Sequence, residues 1–130
     1  MNIIGNGVDI VKNQRIKNAL KNKNFAKRIF SKAEIIQSKK NNNKTNFFAK
    51  RFAAKEAFVK AIGTGFRKNI NFKDISISNN IYGKPQLSFN NKIRKLVKKK
   101  FKSNNFKIYL SLSDEKSYSI AFVIIEKKNV

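Results

Sequence analysis

The chain has 130 residues, of which 30 are Lys or Arg and 7 are Asp or Glu, so its formal net charge is +23. This length suits one domain with a single core, and we expect no internal boundary between residues 1 and 130. The absence of Cys excludes disulfides and thiolate chemistry, and the absence of His leaves acid–base work to Glu, Asp, Lys, Tyr or a water on a metal.

The first half of the chain predicts one strand followed by helices. Residues 2–11 form a run of apolar residues that Gly5 and Gly7 interrupt, which predicts a strand with close backbone approach or a bulge. Helical spacing of apolar residues follows over 12–20 and again near 25–30. The "SKAE" sequence at 31–34 is typical of a capping box, which makes Glu34 a helix cap rather than a catalyst.

The longest helix is predicted next. A polar run at 39–44 predicts an exposed loop, and the pattern that follows predicts a helix from about Thr45 to Ile62 that ends at Gly63, where positive φ is accessible.

The second half predicts a hairpin, a helix and two more strands. Residues 74–78 and 85–89 alternate as strands and are joined through "YGKP", while 91–101 predicts a basic helix. Two closing strands are expected at 106–113 and 118–125. The predicted order, β α α α β β α β β, indicates an α+β fold with the long helix packed on an antiparallel sheet.

Location and charge can also be interpreted from the sequence. The N-terminal segment has no basic region and carries Asp9 within its apolar run, so it is a poor signal peptide. The longest apolar run, "SIAFVII", is too short to span a bilayer, and we expect a cytoplasmic protein. The positive charge would attract an acidic partner, although 25 of the 30 cations are Lys and compositional bias explains the excess equally well.

Asp9 and Glu56 stand out because each interrupts an apolar pattern. Asp9 lies within "VDIV", and Glu56 shares a helix face with apolar residues. Burying an unpaired carboxylate costs several kcal/mol. Ion pairing is one explanation, since Lys60 follows Glu56 at i+4 and Asp9 could cap the helix that begins near Lys12. The other is Mg²⁺, which takes one or two carboxylates and completes its shell with water and substrate phosphate. The residues alone leave both explanations open.

Several cations lie near these two acids in the predicted fold. Arg51, Lys55 and Lys60 are on or beside the same helix, and Lys84 is in the "YGKP" turn. Such groups can hold phosphates, whereas any single Lys is equally explained as solvated surface. The "GTG" after the helix is weak evidence for a phosphate loop because a helix C-cap explains it.

Four segments carry a family resemblance. "GNGVDIV", "RFAAKEAFVKAIGTGF", "YGKP" and "SLSDEKSYSIAFVIIE" occur in this order, and the resemblance extends from residue 3 to residue 126. Together they closely resemble the holo-[acyl-carrier-protein] synthases, the short bacterial 4′-phosphopantetheinyl transferases. The resemblance implies that family's fold. It also implies transfer of 4′-phosphopantetheine from coenzyme A to a serine of apo acyl carrier protein, in support of fatty acid and lipid biosynthesis. A homotrimer with active sites at subunit interfaces is implied as well.

The resemblance also implies roles for individual residues. Mg²⁺ would be bound by Asp9 and Glu56. Lys60 would stabilise the phosphates or assist proton transfer, and Glu56 or a water on the metal would accept the serine proton. The residues assigned to coenzyme A binding are Arg51, Lys55, Lys60, Gly63, Lys84 and Pro85.

Two arginines are assigned to the protein partner. Arg15 matches a basic position with which the family grips its acidic carrier protein, and Arg28 is placed on the same surface. Tyr109 departs from the family, since many members have His there and a neutral phenol cannot offer coenzyme A a positive charge. Asp114 is at a variable position and receives no chemical role.

Two other functions compete with the transferase. A small basic nucleic-acid-binding protein is suggested by the net charge and by "KKKFK" at 98–102, but the cations are spread along the chain and no aromatic RNA-recognition signature is found. A catalytically inactive relative would not need Asp9, Glu56 and Lys60 together. We therefore expect no nucleic-acid partner and no membrane partner.

Overall fold

The computed structural model describes residues 2–67 and 69–128. Its elements in chain order are β1 (Asn2–Lys12), α1 (Asn13–Ala19), α2 (Lys23–Ile29), α3 (Lys32–Ser38), α4 (Lys44–Ile62), a 3₁₀ turn (Phe72–Asp74), β2 (Ile75–Asn79), β3 (Pro85–Phe89), α5 (Asn91–Phe101), β4 (Phe106–Asp114) and β5 (Tyr118–Lys127). This order confirms the predicted α+β fold class.

The described residues form four helices before the hairpin, one more than the three helices of the predicted order. The reason lies between α2 and α3, where Phe30 is extended and Ser31 begins a new helix. The Ser31 side chain accepts from the Glu34 backbone N–H, and the Glu34 carboxylate accepts from the Ser31 backbone N–H. The predicted capping box is therefore confirmed, and it separates two short helices.

The strands form two antiparallel sheets. One has the order β1-β5-β4, and the other consists of β2 and β3. In the larger sheet Val8 lies opposite Phe122, and Tyr109 lies opposite Ile124. Because side chains alternate across a strand, one face of this sheet packs on α4 and the other carries the opposite set of residues.

Glycines in β1 allow α4 to approach the sheet closely. A Cβ added at Gly7 would overlap the carbonyl oxygen of Ala57 and lie 2.8 Å from the backbone nitrogen of Ala61. A Cβ at Gly5 would overlap the Ala61 carbonyl in the same way, and the β1–β5 register shifts between Ile3 and Gly5. The predicted close approach and bulge are both found, and only glycine fits at these two positions.

Helix α4 forms the centre of the core. Its first turn is capped by the Asn43 side chain, which accepts from the Asn46 backbone N–H at 3.1 Å, and it ends at Gly63 with φ of 80°. Buried residues occur on all of its faces because the sheet covers one side and α1 and α3 contact another. None of the helices formed by the described residues is long and apolar enough to cross a bilayer.

On the face of the larger sheet that points away from α4, β1 and β5 carry exposed apolar residues. Val8 and Ile10 of β1 are 49% and 61% exposed, and Ile120 and Phe122 of β5 are 38% and 42% exposed. These four residues lie on paired strands, Val8 opposite Phe122 and Ile10 opposite Ile120. We call this four-residue patch the open sheet face. Exposed apolar patches of this kind are typical of protein interaction sites.

Candidate active site

The fold brings the acid of the first strand to the long helix. Asp9 has the same strand parity as Gly7 and therefore points toward α4. The Lys60 ammonium donates to the Asp9 carboxylate at 3.0 Å and to the Val8 carbonyl at 3.0 Å. The side chain of Lys60 is 52% exposed and that of Asp9 is 16% exposed, so the pair lies at the protein surface.

Glu56 belongs to the same group of charges. Its pKa is raised, first by burial and then by the negative charge of Asp9, while the charges of Lys60 and Arg15 act in the opposite direction. Asp9, Glu56, Lys60 and Arg15 thus lie close enough to influence one another, and we call them the acid–base cluster. Two carboxylates and two cations from β1, α1 and α4 meet here.

The two ion-pair explanations drawn from the sequence need correction. Lys60 does pair with a carboxylate, but its partner is Asp9 rather than the i+4 neighbour Glu56. Asp9 does not cap the first helix, because α1 begins after Lys12 and its N-terminus has no side-chain cap. The sequence pattern singles out both acids. In the fold, Lys60 donates a hydrogen bond to Asp9 and influences Glu56 through its charge.

The acid pair has the donor chemistry that Mg²⁺ requires. Among residues 2–67 and 69–128, no group of three or more acidic side chains could hold a metal by itself. Mg²⁺ commonly takes only one or two protein carboxylates and obtains its other ligands from water and substrate phosphates. After burial, the negative charge of Asp9 is the second cause that raises the pKa of Glu56, and a divalent cation between the two carboxylates would offset their repulsion. The residues fit the ion.

Lys55 does not belong to this site, which corrects its assignment to coenzyme A binding. Its side chain is fully buried and donates to the Glu34 carboxylate at 2.7 Å and to the Ile29 carbonyl at 2.8 Å. Burial lowers the pKa of Lys55, and the charge of Glu34 opposes that effect. A phosphate could reach this ammonium only by breaking the buried pair, which costs several kcal/mol.

Glu34 has a larger role than the sequence indicates. Besides capping α3 and pairing with Lys55, it accepts from the backbone N–H of Ile77 at 2.9 Å. The carboxylate therefore joins α3, α4 and β2. The local motif predicted only the cap, and no local signal could reveal a partner 21 residues away.

Arg51 is buried with part of its guanidinium unpaired. The guanidinium carbon lies 3.6 Å from the centre of the Phe47 ring, and one nitrogen donates to the Phe47 carbonyl at 3.4 Å. Its Nε and Nη2 atoms have no hydrogen-bond partner among the described residues. Burial lowers the pKa of Arg51 to about 10, although the charge of Glu34 raises it. Two unpaired donors keep an anion-binding role for Arg51 as a prediction.

The other residues assigned to coenzyme A lie in two places. Gly63 ends α4, and the Lys100 ammonium donates to the Ile62 carbonyl beside it. Lys84 and Pro85 lie where the β2–β3 turn enters β3, and both line a cleft of about 810 Å³ between β3 and β4. We call this the hairpin cleft.

The predicted partner-binding arginines are on neighbouring helices. The guanidinium carbon of Arg15, on α1, lies 5.7 Å from the centre of the Phe52 ring. Arg28 is exposed on α2. Phe25 of α2 also packs near Phe52, with 6.5 Å between ring centres, so α1 and α2 contact the same residue of α4.

Two positions that received no role, Tyr109 and Asp114, have polar partners elsewhere in the fold. The Tyr109 hydroxyl donates to the Glu126 carboxylate at 3.0 Å. Asp114 pairs with Lys50 at 3.4 Å and accepts from the Asn46 side chain at 2.8 Å.

Sequence reasoning missed two cations of the hairpin cleft, Arg94 and Lys107. Lys107 could have been found, because it lies two residues before Tyr109 and residues two apart share a strand face. Arg94 could not, since nothing local connects α5 with β3.

The fold and the acid–base cluster define an α+β protein in which the first strand and the central helix jointly present carboxylates and cations, an arrangement suited to phosphoryl-group chemistry. Residues 5–123 match the family described as "4′-phosphopantetheinyl transferase superfamily". The holo-[acyl-carrier-protein] synthase of Pelagibacter ubique is 59% identical over 128 residues, which cover 98% of this chain and 100% of that protein. The chain belongs to the 4′-phosphopantetheinyl transferase superfamily, which confirms the resemblance.

Solved structures agree with this assignment. The holo-[acyl-carrier-protein] synthase of Neisseria meningitidis superimposes with a TM-score of 0.87 at 38% identity, covering 96% of this chain and 99% of that one. The holo-(acyl-carrier-protein) synthase of Bacillus anthracis, solved in complex with "CoA (3′,5′-ADP)", gives a TM-score of 0.81 at 34% identity and covers 98% of this chain and 100% of that one. The predicted transferase fold is confirmed.

Proposed function

We propose that this protein transfers the 4′-phosphopantetheine group of coenzyme A to a serine hydroxyl of an apo acyl carrier protein, in support of fatty acid and lipid biosynthesis. The observation that carries the proposal is the Lys60–Asp9 contact beside Glu56, within a chain of this superfamily. Its similarity to the coenzyme A complex of the Bacillus anthracis protein supports the choice of donor. Superfamily membership favours this function over a nucleic-acid-binding protein. A cytoplasmic location and a single domain over residues 1–130 stay predictions.

The reaction exchanges one phosphorus–oxygen bond for another. The serine oxygen attacks the phosphorus that carries pantetheine and forms a phosphodiester. The anhydride bond to the second phosphorus breaks, and adenosine 3′,5′-bisphosphate leaves with that electron pair. The serine proton must be accepted, and we assign that role to Glu56, whose carboxylate belongs to the acid–base cluster. Lys60 neutralises charge on the phosphates.

Asp9 and Glu56 would hold Mg²⁺ against the diphosphate. When bound, the ion supplies charge neutralisation on the phosphate oxygens. The chain's own contribution is to position two carboxylates from β1 and α4, with the Lys60 ammonium held against Asp9. We retain Arg51, Lys60, Gly63, Lys84 and Pro85 as coenzyme A contacts.

Sheet geometry supports the proposal of a homotrimer with shared active sites. Asp9 lies on the face covered by α4, whereas Tyr109 of the hairpin cleft lies on the opposite face of an edge strand two strands away. Two strand spacings amount to about 10 Å, with the sheet between them. In the proposed assembly, one coenzyme A contacts Asp9 of one copy and Lys84 of another, and association covers the open sheet face.

Oligomeric state can be tested by charging that face. Ile10→Asp should shift the mass measured by light scattering from trimer toward monomer, because a buried carboxylate would oppose association. Ile36→Asp is the matched control, since Ile36 is 59% exposed on α3 and Ile10 is 61% exposed. If both variants stay trimeric, or if the unaltered protein is monomeric, the proposed use of the open sheet face is wrong.

Docking of the carrier protein is assigned to Arg15 and Arg28. Both lie on the short helices that precede α4, and Arg15 also belongs to the acid–base cluster. An acidic partner that approaches these helices would bring its serine toward Glu56. Such steering is electrostatic and therefore sensitive to salt.

A mass-shift assay tests the function itself. Incubation with coenzyme A, Mg²⁺ and apo acyl carrier protein should add one phosphopantetheine arm to the carrier, as measured by mass spectrometry. Glu56→Gln should abolish turnover and leave circular dichroism unchanged, while Glu115→Gln, in the β4–β5 turn, serves as the control. Absence of transfer, under conditions in which a related synthase works, would contradict the proposed function.

A further inference from the structure

Helix α1 is too short to be stable by itself. It has seven residues and no side-chain cap at its N-terminus, and isolated helices shorter than about 12 residues are marginal in water. Ile16, in the middle of the helix, is buried and attaches its inner side to the core. The first turn, which contains Arg15, therefore depends on a second attachment to the rest of the fold.

Asn13, the first residue of α1, provides that attachment. Its side-chain nitrogen donates to the carbonyl oxygens of Glu115 at 2.9 Å and Lys116 at 3.2 Å. Its side-chain oxygen accepts from the Ser119 hydroxyl at 2.7 Å, and its backbone N–H donates to the Ser117 carbonyl at 2.9 Å. Asn13 and Ser119 are both buried. Four hydrogen bonds thus join α1 to the β4–β5 turn and the start of β5, and we call Asn13 and these partners the asparagine clamp.

The same turn is also attached to α4, the helix that carries Glu56. The Asn46 side chain donates to the Asp114 carboxylate at 2.8 Å and to the Glu115 carbonyl at 3.1 Å. Lys50 pairs with Asp114 at 3.4 Å. Because one turn binds the first residue of α1 and the first turns of α4, it fixes the two helices relative to each other.

We propose that Asn13 is a positioning residue for Arg15 in the docking of the acyl carrier protein. The inference rests on the proposed function, in which Arg15 receives the acidic carrier beside Glu56. Arg15 follows Asn13 in the first turn of α1, and its guanidinium carbon lies 5.7 Å from the centre of the Phe52 ring of α4. Without the Asn13 side chain, the carbonyl groups of the turn and the Ser119 hydroxyl would lose their partner, so the start of α1 would separate from the turn. Arg15 would then move away from the acid–base cluster.

Steady-state kinetics test this role through the KM for each substrate. Asn13→Leu keeps the number of side-chain heavy atoms but removes the polar groups. It should raise KM for the carrier protein about tenfold, the size of one hydrogen bond to a charged group, and leave KM for coenzyme A unchanged. Ser119→Ala removes only one bond of the clamp and should give a smaller increase. Asn90→Leu is the matched control, because the Asn90 side chain attaches the start of α5 instead, and it should leave both KM values unchanged.

A double variant separates positioning from a general structural defect. If Asn13 acts through Arg15, Asn13→Leu should raise KM for the carrier no further in an Arg15→Met background. KM does not depend on the fraction of folded enzyme, so partial unfolding would not imitate this result. If Asn13→Leu does not fold, Ser119→Ala gives the same comparison in the two backgrounds. An equal increase in both backgrounds would overturn the proposal, as would an unchanged KM for the carrier in both Asn13→Leu and Ser119→Ala.

An NMR measurement keeps this inference distinct from the proposed function. The Phe52 ring should shift the side-chain resonances of Arg15, and Phe52→Leu measures that contribution. Asn13→Leu should remove most of the shift, whereas Asn90→Leu should retain it. If no carrier protein is modified, the proposed function fails, while the shift still decides whether Asn13 positions Arg15. Arg15 resonances that are the same in Asn13→Leu and the unaltered protein would overturn the positioning role.

Discussion

Removing the buried amine of Lys55 should destabilise the protein more than removing a partly exposed one from the same helix. In Lys55→Met the chain length is kept, but Glu34 remains buried without its counter-ion. Loss of one member of a buried ion pair costs about 3–5 kcal/mol. Glu34 keeps its backbone donors at Ser31 and Ile77, so we expect the lower end, about 3 kcal/mol.

That free energy converts into a large change in melting temperature. For 130 residues the unfolding entropy is about 0.27 kcal/mol per kelvin, so a loss of about 3 kcal/mol lowers Tm by about 11 °C. Thermal melts should be followed by circular dichroism at one protein concentration, because association would make Tm depend on concentration.

Two further variants test how much the buried Lys55–Glu34 pair contributes to stability. Lys50→Met removes the Asp114 ion pair, whose side chains are about 30% exposed, and should cost less than about 1 kcal/mol. The double variant Lys55→Met with Glu34→Gln leaves no unpaired carboxylate, although Arg51 loses the nearby charge of Glu34, and it should recover part of the loss. If Lys55→Met melts within a degree or two of Lys50→Met, the buried pair does not stabilise the fold as argued.

Other predictions concern packing, pH and docking. Gly7→Ala should lower the free energy of unfolding by at least about 1–3 kcal/mol in urea titrations, because its Cβ would overlap the Ala57 carbonyl; an unchanged midpoint would contradict the close approach. Burial alone would raise the pKa of Asp74, but hydrogen bonds and the Lys92 charge lower it from its ordinary 3.8. Its contribution is therefore present above pH 3.8 and lost below it, so Asp74→Asn should differ from the unaltered protein less at lower pH; a difference that grows on acidification would show the opposite sign. Arg28→Glu should raise KM for acyl carrier protein but not for coenzyme A, with the effect fading at high salt; an unchanged KM at low salt would remove Arg28 from the docking surface.

Local features of the fold could be predicted because they depend on neighbouring residues. The Ser31–Glu34 capping box and the end of α4 at Gly63 are both found as predicted. Such motifs use side chains and backbone groups within one turn of each other, so the sequence contains all the participants.

Long-range partners could not be predicted in the same way. A helical wheel separates buried from exposed residues only when one face is covered, and α4 is surrounded on several sides. Lys55, which is predicted to bind coenzyme A, instead pairs with Glu34 inside the core. Asp9 and Glu56 were easier to recognise because each interrupts an apolar pattern, yet only the fold shows that Lys60 contacts Asp9.

The two glycines of β1 have a consequence for how the enzyme can evolve. Where Gly5 and Gly7 meet the carbonyl groups of Ala61 and Ala57, main chain rests on main chain, and no side chain separates the strand from the helix. The distance between the strand that carries Asp9 and the helix that carries Glu56 is therefore set by backbone contacts at these two glycines. Backbone atoms are the same whatever the side chains are. Core side chains elsewhere can drift in size without moving one acid relative to the other.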